Sequence, residues 1–281
     1  MDRKIGGAAM PEITKISTQK NNAERYNIFL DGKYSFSADE QVLIQFGLMK
    51  GKVLDDWEID EIIFGDEIRK AYNKALHFLG FRMRSELEVK EKLMAAGFGE
   101  AVALEAISKL KEQKFLDDDS FSKALLETRK RTAKKGPGAI KQELARKGIS
   151  KELQEEALEA FPEEEQLELA EELARKVAAR SSGRTPQQIR QKIQDSLMRK
   201  GYSYDVISTA IERVQSELEP EEDEWDELTE KTGEKAWRTY SRKHSGNELR
   251  RRVQQAMYQK GIPPERISRF IEAKEEKLED E

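Results

Sequence analysis

Lysine and arginine are the side chains whose spacing suggests a task, and the task is holding an anionic surface. From Arg129 to Lys151 nine basic residues (Arg129, Lys130, Arg131, Lys134, Lys135, Lys141, Arg146, Lys147 and Lys151) stand against one acid, Glu143. Arg175 to Lys200 holds eight, among them Arg175, Arg180, Arg184, Arg199 and Lys200, against Asp195 alone. Lys235 to Arg252 holds seven, with His244 beside them, against Glu248. Acids collect between these runs, at Glu155 to Glu172 and Glu217 to Glu230. A basic stripe with acidic joints suits a polyanion or an acidic protein groove.

Bond-making chemistry has few parts to work with. The chain has no cysteine, which removes disulfides, thiolate metal sites and a thiol nucleophile. His77 and His244 are too far apart for a His-based metal site, and neither has a carboxylate at motif spacing. The stretch Gly47-Leu48-Met49-Lys50-Gly51-Lys52 falls short of a phosphate-binding loop and lacks its Ser or Thr. The expectation is a protein with no catalytic residue, no metal and no cofactor. No apolar run approaches the roughly 18 residues that span a bilayer, and Met1 to Met10 has no stretch suited to a signal peptide, which points to a soluble cytoplasmic chain with no membrane partner. Met10-Pro11 offers an internal start, with Met1 to Ala9 then either an extension or an added remnant.

Composition agrees with a binding protein of large surface. Charged residues make up 37% of 281, against about 25% in ordinary globular chains, and hydrophobic residues only 37%. The net charge of -5 argues against a protein that binds nucleic acid alone.

Two kinds of element must carry these charges. Ile13 to Ser17, Tyr26 to Leu30 and Lys33 to Ser37 alternate apolar with polar residues, and Asp31-Gly32 between the last two is a strong hairpin signal. A small β-element of two or three strands is expected there, then a helix around Asp39 to Gly47 and a short strand near Lys52 to Leu54. From Trp57 onward the period is helical.

The helical part repeats. Aligning Gly97, Gly148, Gly201 and Gly261 places Leu93, Leu144, Leu197 and Met257 four residues before, and Val89, Ile140, Ile193 and Val253 eight before. Phe98, Ile149, Tyr202 and Ile262 follow directly. A glycine just past a helix end takes the left-handed conformation, and the next apolar residue folds back onto the last turn. Ser85 to Glu88, Thr185 to Gln188 and Ser245 to Glu248 fit capping boxes, and Gly136-Pro137 offers Pro at the first helical position. Each repeat thus reads as three helices. The first helices are expected at Glu67 to Leu79, Asp118 to Thr132, Leu167 to Arg180 and Trp225 to Arg242. The last are expected at Glu100 to Lys111, Lys151 to Ala160, Tyr204 to Leu218 and Glu265 to Lys277. The fold expected is mainly α, an elongated array of tandem three-helix repeats behind an N-terminal β-hairpin element. Its divisions are 1–65, then repeats over 66–116, 117–161, 162–219 and a divergent 220–281.

Plainer readings compete. Lys147, Lys200 and Lys260 sit in the last turn of a helix, where a cation favours the dipole. A basic run is also often just a solvated face, though recurrence at one phase weakens that reading. Trp57, Trp225 and Trp237 read as core or inter-repeat packing, and His77, on an apolar helical face, as structural.

The segment Gln113-Lys114-Phe115-Leu116-Asp117-Asp118-Asp119-Ser120-Phe121, with Arg129-Lys130-Arg131, Gly136-Pro137 and Gln142 to Ile149, resembles the RecX family of recombinase regulators. Arg84-Ser85-Glu86 and Glu88 to Leu93, up to Gly97-Phe98, are similar to that family's first repeat. The match spans about residues 67 to 214. Read physically, Asp117 is a helix N-cap, Asp118 and Asp119 fill the first turn and Phe121 enters the core. The resemblance implies a monomeric modulator, mainly an inhibitor, of RecA. It would lie in the groove of the RecA-DNA filament, touching protein and single- or double-stranded DNA, and regulate recombination and repair. Arg129, Lys130, Arg131, Lys134, Lys135, Lys141, Arg146, Lys147, Arg175, Arg180, Arg184, Arg199 and Lys200 are the expected contacts. The rival reading is a helical-repeat protein that binds DNA directly, without RecA. The last repeat departs from the pattern, with Met257 for Leu and Pro263-Pro264 after its glycine.

Overall fold

The computed structural model describes residues 10–279, so Met1 to Ala9 lie outside it. Three strands, β1 (Ile13–Gln19), β2 (Asn22–Leu30) and β3 (Lys33–Asp39), form an antiparallel sheet in chain order. Asp31 (φ 45°) and Gly32 (φ 80°) both take positive φ, the backbone of the tight hairpin turn that an Asp-Gly pair favours. Ile13, Ile28, Phe36 and Ala38 are buried on one face of the sheet, with Val42, Leu54 and Ile62 in the same cluster. The short strand expected near Lys52 reduces to a single bridge, Glu12 to Val53.

Helix α1 (Glu40–Gln45) follows, and then α2 (Asp56–Leu79), started by a capping box between Asp55 and Glu58. The expected division after residue 65 falls inside α2, because this helix serves both neighbours. Its first half gives Ile62 to the sheet cluster, and its second half gives Ile68, Ala71, Tyr72 and Ala75 to the next. Buried Asp66 ties the sheet to α2: it receives Arg25 at 2.7 Å, Lys70 at 2.8 Å and the Asp39 N–H at 2.9 Å. Burial works against its charge, yet these partners lower its pKa. Trp57 departs from expectation: in the first turn of α2 it points outward and is 72% exposed. His77 is exposed as well, off the Ala71, Tyr72 and Ala75 face, with its ring edge-on to Phe81.

The remaining helices come in threes. α3 (Glu86–Met94) and α4 (Glu100–Glu112) complete the first repeat with α2. The second is α5 (Asp118–Ala133), α6 (Pro137–Arg146) and α7 (Lys151–Glu159). The third is α8 (Glu163–Ala179), α9 (Pro186–Lys200) and α10 (Tyr204–Arg213), and the fourth α11 (Glu222–Tyr240), α12 (Gly246–Gln259) and α13 (Pro264–Glu279). Residues Gln215–Leu218, expected at the end of α10, form a separate turn of 3-10 helix. Gly97, Gly148, Gly201 and Gly261 have φ of 92°, 78°, 86° and 85°. The next N–H bonds back to the last turn, Phe98 to Leu93, Tyr202 to Leu197 and Ile262 to Met257, each at 3.2 Å. Asp117 caps α5 through Asp119 N–H at 3.0 Å, and Phe121 is buried.

Ser85 and Glu88 form the expected capping box. At α12 the box is missing: Ser245 makes no side-chain cap bond, and the Glu248 carboxylate turns to Arg251 and Arg252. The chain divides into two compact units, one running to Ser122 and including Lys147–Ser150, the other taking Lys123–Arg146 and everything from Lys151 on. In the first, Val89, Leu93, Val102, Ile107 and Leu110 join the α2 residues in one core. In the second, the third and fourth repeats each keep a core of their own, around Ile193 and Leu197 and around Val253 and Met257. Trp225 and Trp237 pack partly buried against the latter, as expected.

Candidate functional site

The thirteen basic residues expected to bind separate into two kinds. Most of the densest cluster holds the fold together. Arg129, in the last turns of α5, grips both oxygens of the Glu143 carboxylate through Nε at 2.9 and 3.0 Å, and Lys135 donates to Oε2 as well at 2.7 Å. These bonds, Arg129 first, hold the Glu143 pKa at about 2. Lys130 is buried at 7% exposure, pairs with Glu165 at 2.7 Å and Glu127 at 2.9 Å, and lies over the Phe161 ring. Lys134 pairs with Glu172. A buried cation with two carboxylates is a structural element, since losing a partner would strand its charge. Lys141 and Arg175 are exposed but engaged, the first with Glu155 at 3.3 Å, the second with Glu217 at 3.0 Å and Glu171 at 3.3 Å.

The other kind faces solvent. Arg131, Arg146, Arg180, Arg184 and Arg199 are exposed, and none makes an ion pair among the described residues. Arg131 and Arg180 each stand five residues before the residue that opens the middle helix, Gly136 and Thr185. Arg146 and Arg199 each stand two before its closing glycine, Gly148 and Gly201. Two pairs of arginines therefore hold the same places in repeats two and three. The corresponding residues of the fourth repeat, Tyr240 and Gln259, are neutral.

Lys147 and Lys200 belong to joints between repeats. In each joint the start of one repeat's middle helix meets the glycine that closes the middle helix of the next. Lys147 Nζ lies 2.8 Å from Glu88 in the first turn of α3, and Gly148 abuts Leu87. Burial opposes the charge of Glu88, but Arg82 and Lys147 hold its pKa at about 2. At the second joint Gly136 N–H donates to the Lys200 carbonyl at 2.8 Å and Gly138 N–H to the Gly201 carbonyl at 3.0 Å. Lys200 Nζ turns back to the Ala133 carbonyl, and the Tyr202 hydroxyl donates to the Lys134 carbonyl at 3.1 Å. At the third, Thr185 Oγ1 donates to the Lys260 carbonyl while Gln187 abuts Gly261. Sequence reasoning missed these joints. The signal available was the small, cap-like residues opening every middle helix opposite a glycine one repeat later.

A cleft of about 760 Å³ beside α11 sets Arg175, Arg184 and Lys231 among Glu217, Glu219, Glu224 and Glu227, a mixture that selects neither sign of ligand. Among the described residues no group of three or more His, Cys, Asp or Glu is placed to hold a metal, and no helix is long and apolar enough to cross a membrane.

A small antiparallel sheet leading into repeated three-helix units, locked glycine to helix start, defines a tandem helical-repeat protein with a charged surface. Residues 11–55 match the RecX N-terminal domain, 71–110 the first RecX three-helix domain and 117–158 the second. Residues 163–211 and 222–271 both match the third. The regulatory protein RecX of Bacillus licheniformis is 42% identical over 266 residues, covering 94% of this chain and 100% of that protein. That of Bacillus subtilis is 41% identical, covering 95% and 100%. A crystal structure of a regulatory protein RecX, 38% identical, covers 72% of this chain and 100% of its own, with a TM-score of 0.65. RecX from Lactobacillus salivarius, 35% identical, covers 54% and 99%, with a TM-score of 0.52. The chain belongs to the RecX family of regulatory proteins.

Proposed function

We propose that the chain modulates RecA, mainly as an inhibitor, by lying in the groove of the RecA-DNA filament. It acts there in the cytoplasm without catalysis or cofactor, and it regulates recombination and repair. The observation that supports this most is the repeated arginine pair, Arg131 with Arg146 and Arg180 with Arg199, exposed and without an ion pair among the described residues, in a chain of the RecX family. A filament offers the same acidic or phosphate surface at regular intervals, and equivalent cations on successive repeats suit such a periodic partner. Arg184 adds to the same set.

The test is RecA ATPase on single-stranded DNA with a variant carrying Arg131, Arg146, Arg180, Arg184 and Arg199 all changed to Glu. Inhibition should be lost with helicity unchanged, and wild-type binding should weaken with salt as several counterions return. Full inhibition by this variant would remove the arginines from the mechanism. Equal wild-type affinity for naked DNA and for filament, both lost in the variant, would favour the direct DNA-binding reading.

A further inference from the structure

The same joint occurs three times along the chain, and the two halves of a fourth stand unfilled. A Cβ on Gly148 would lie 2.7 Å from Leu87 Cβ, one on Gly201 2.3 Å from the Ala139 nitrogen, and one on Gly261 2.7 Å from Gln187 Oε1. Each of these glycines is therefore occupied by the start of another middle helix. Gly97 closes α3 with the same left-handed backbone, φ +92°, yet a Cβ there would meet nothing within 4 Å, and Gly97 is exposed. It is a receiving end with no insert.

The matching insert is the start of α12. Ser245 stands where the third joint has Thr185, and Asn247 where it has Gln187. Thr185 spends its hydroxyl on the Lys260 carbonyl; Ser245 makes no side-chain cap bond. Ser245, Gly246 and Asn247 are all exposed.

We infer that these two ends join between copies of the chain, the start of α12 in one copy seating on Ala96-Gly97 of a second. The three internal joints specify the occupant. In each, a left-handed glycine seats the start of a middle helix, against Leu87 at the first, Ala139 at the second and Gln187 at the third; the second and third also bond the preceding carbonyl, and this chain presents both halves. Such a contact is heterologous, so copies add in a row. It is weaker than the internal joints: Ala96 takes the place of Lys147, Lys200 and Lys260, and Glu248, the counterpart of Glu88, is already held by Arg251 and Arg252. Copies thus associate when concentrated or when aligned on a common polymer, which raises their effective concentration. The inference stands independently of RecA.

Because the chain has no cysteine, two engineered thiols can report the contact alone. Ala96→Cys and Asn247→Cys both fall on exposed residues. Concentrated full-length single variants, mixed and oxidised without RecA, should give a disulfide-linked mixed dimer far in excess of either variant oxidised alone. The double variant should give a ladder of multimers. In parallel, the sedimentation coefficient of the unmodified chain should rise with concentration, and that of Asn247→Trp should not. Mixed dimers no more abundant than in the single-variant controls, with sedimentation of the unmodified chain independent of concentration, would overturn the inference.

Discussion

The N–H of Gly138 donates to the carbonyl of Gly201 at 3.0 Å, so the first turn of α6 is closed by the last turn of α9. Each helix end leaves main-chain groups without an internal partner, and here two ends satisfy one another. The approach is close enough that a Cβ on Gly136 would fall 2.6 Å from the Gly201 carbonyl.

Gly201→Ala and Gly97→Ala should therefore differ. Both put a side chain on left-handed backbone, which costs about 1 to 2 kcal/mol. At Gly97 the loss ends there, since the space is open; at Gly201 the Cβ enters Ala139 and the loss is larger. Urea unfolding of the two variants measures the difference.

Leu144 is fully buried and Lys141, one turn earlier, is exposed. Leu144→Ala should cost about 2 to 5 kcal/mol. Lys141→Ala should stay within about 0.5 kcal/mol, its pair with Glu155 being a surface one. Melting temperatures decide; equal shifts would mean that the phase of α6 is misread.

Neighbours in sequence should respond unequally to charge reversal. Lys130→Glu places a carboxylate against Glu127 and Glu165 at a site 7% exposed, and breaking such a buried pair costs about 3 to 5 kcal/mol. Arg131→Glu should leave thermal stability within about 0.5 kcal/mol of the parent. Circular dichroism melts separate them, and they show which reversals are fair tests of binding.

Glu143 gives the fold a defined acid limit. Its folded pKa of about 2 lies below the ordinary 4.5, so its stabilisation is complete above pH 4.5 and is lost as pH falls through the folded value. Glu143→Gln should lower stability at neutral pH, because Arg129 and Lys135 lose their partner, and should flatten the decline on acidification. Urea midpoints across that range check both parts.

Much of the architecture was legible because it rests on local backbone chemistry. Asp31-Gly32 marked the hairpin, and the four glycines with their fixed apolar offsets marked every middle helix. Charge pairing was not legible. Lys130 meets Glu165 and Lys134 meets Glu172 only after helices fold together, and no periodicity connects them. Glu143, alone among basic residues, was visible as an exception, and its isolation was the clue to its role. Trp57 misled because an aromatic at a helix start belongs to no repeating face. α6 opens with Gly136-Pro137-Gly138 and no Ser, Thr or Asp, and its cap is another helix.

Separate cores in the third and fourth repeats mean that chain length can change in whole steps. Removing residues 222–279 would take away the Thr185 bond to Lys260 and the seat at Gly261 while leaving every member of the Ile193–Leu197 core in place. Inherited gain or loss of one repeat is then a small mutational event, since the new terminus carries the same edge as the old. The number of repeats can then change in whole units, and two adjacent units here match one domain.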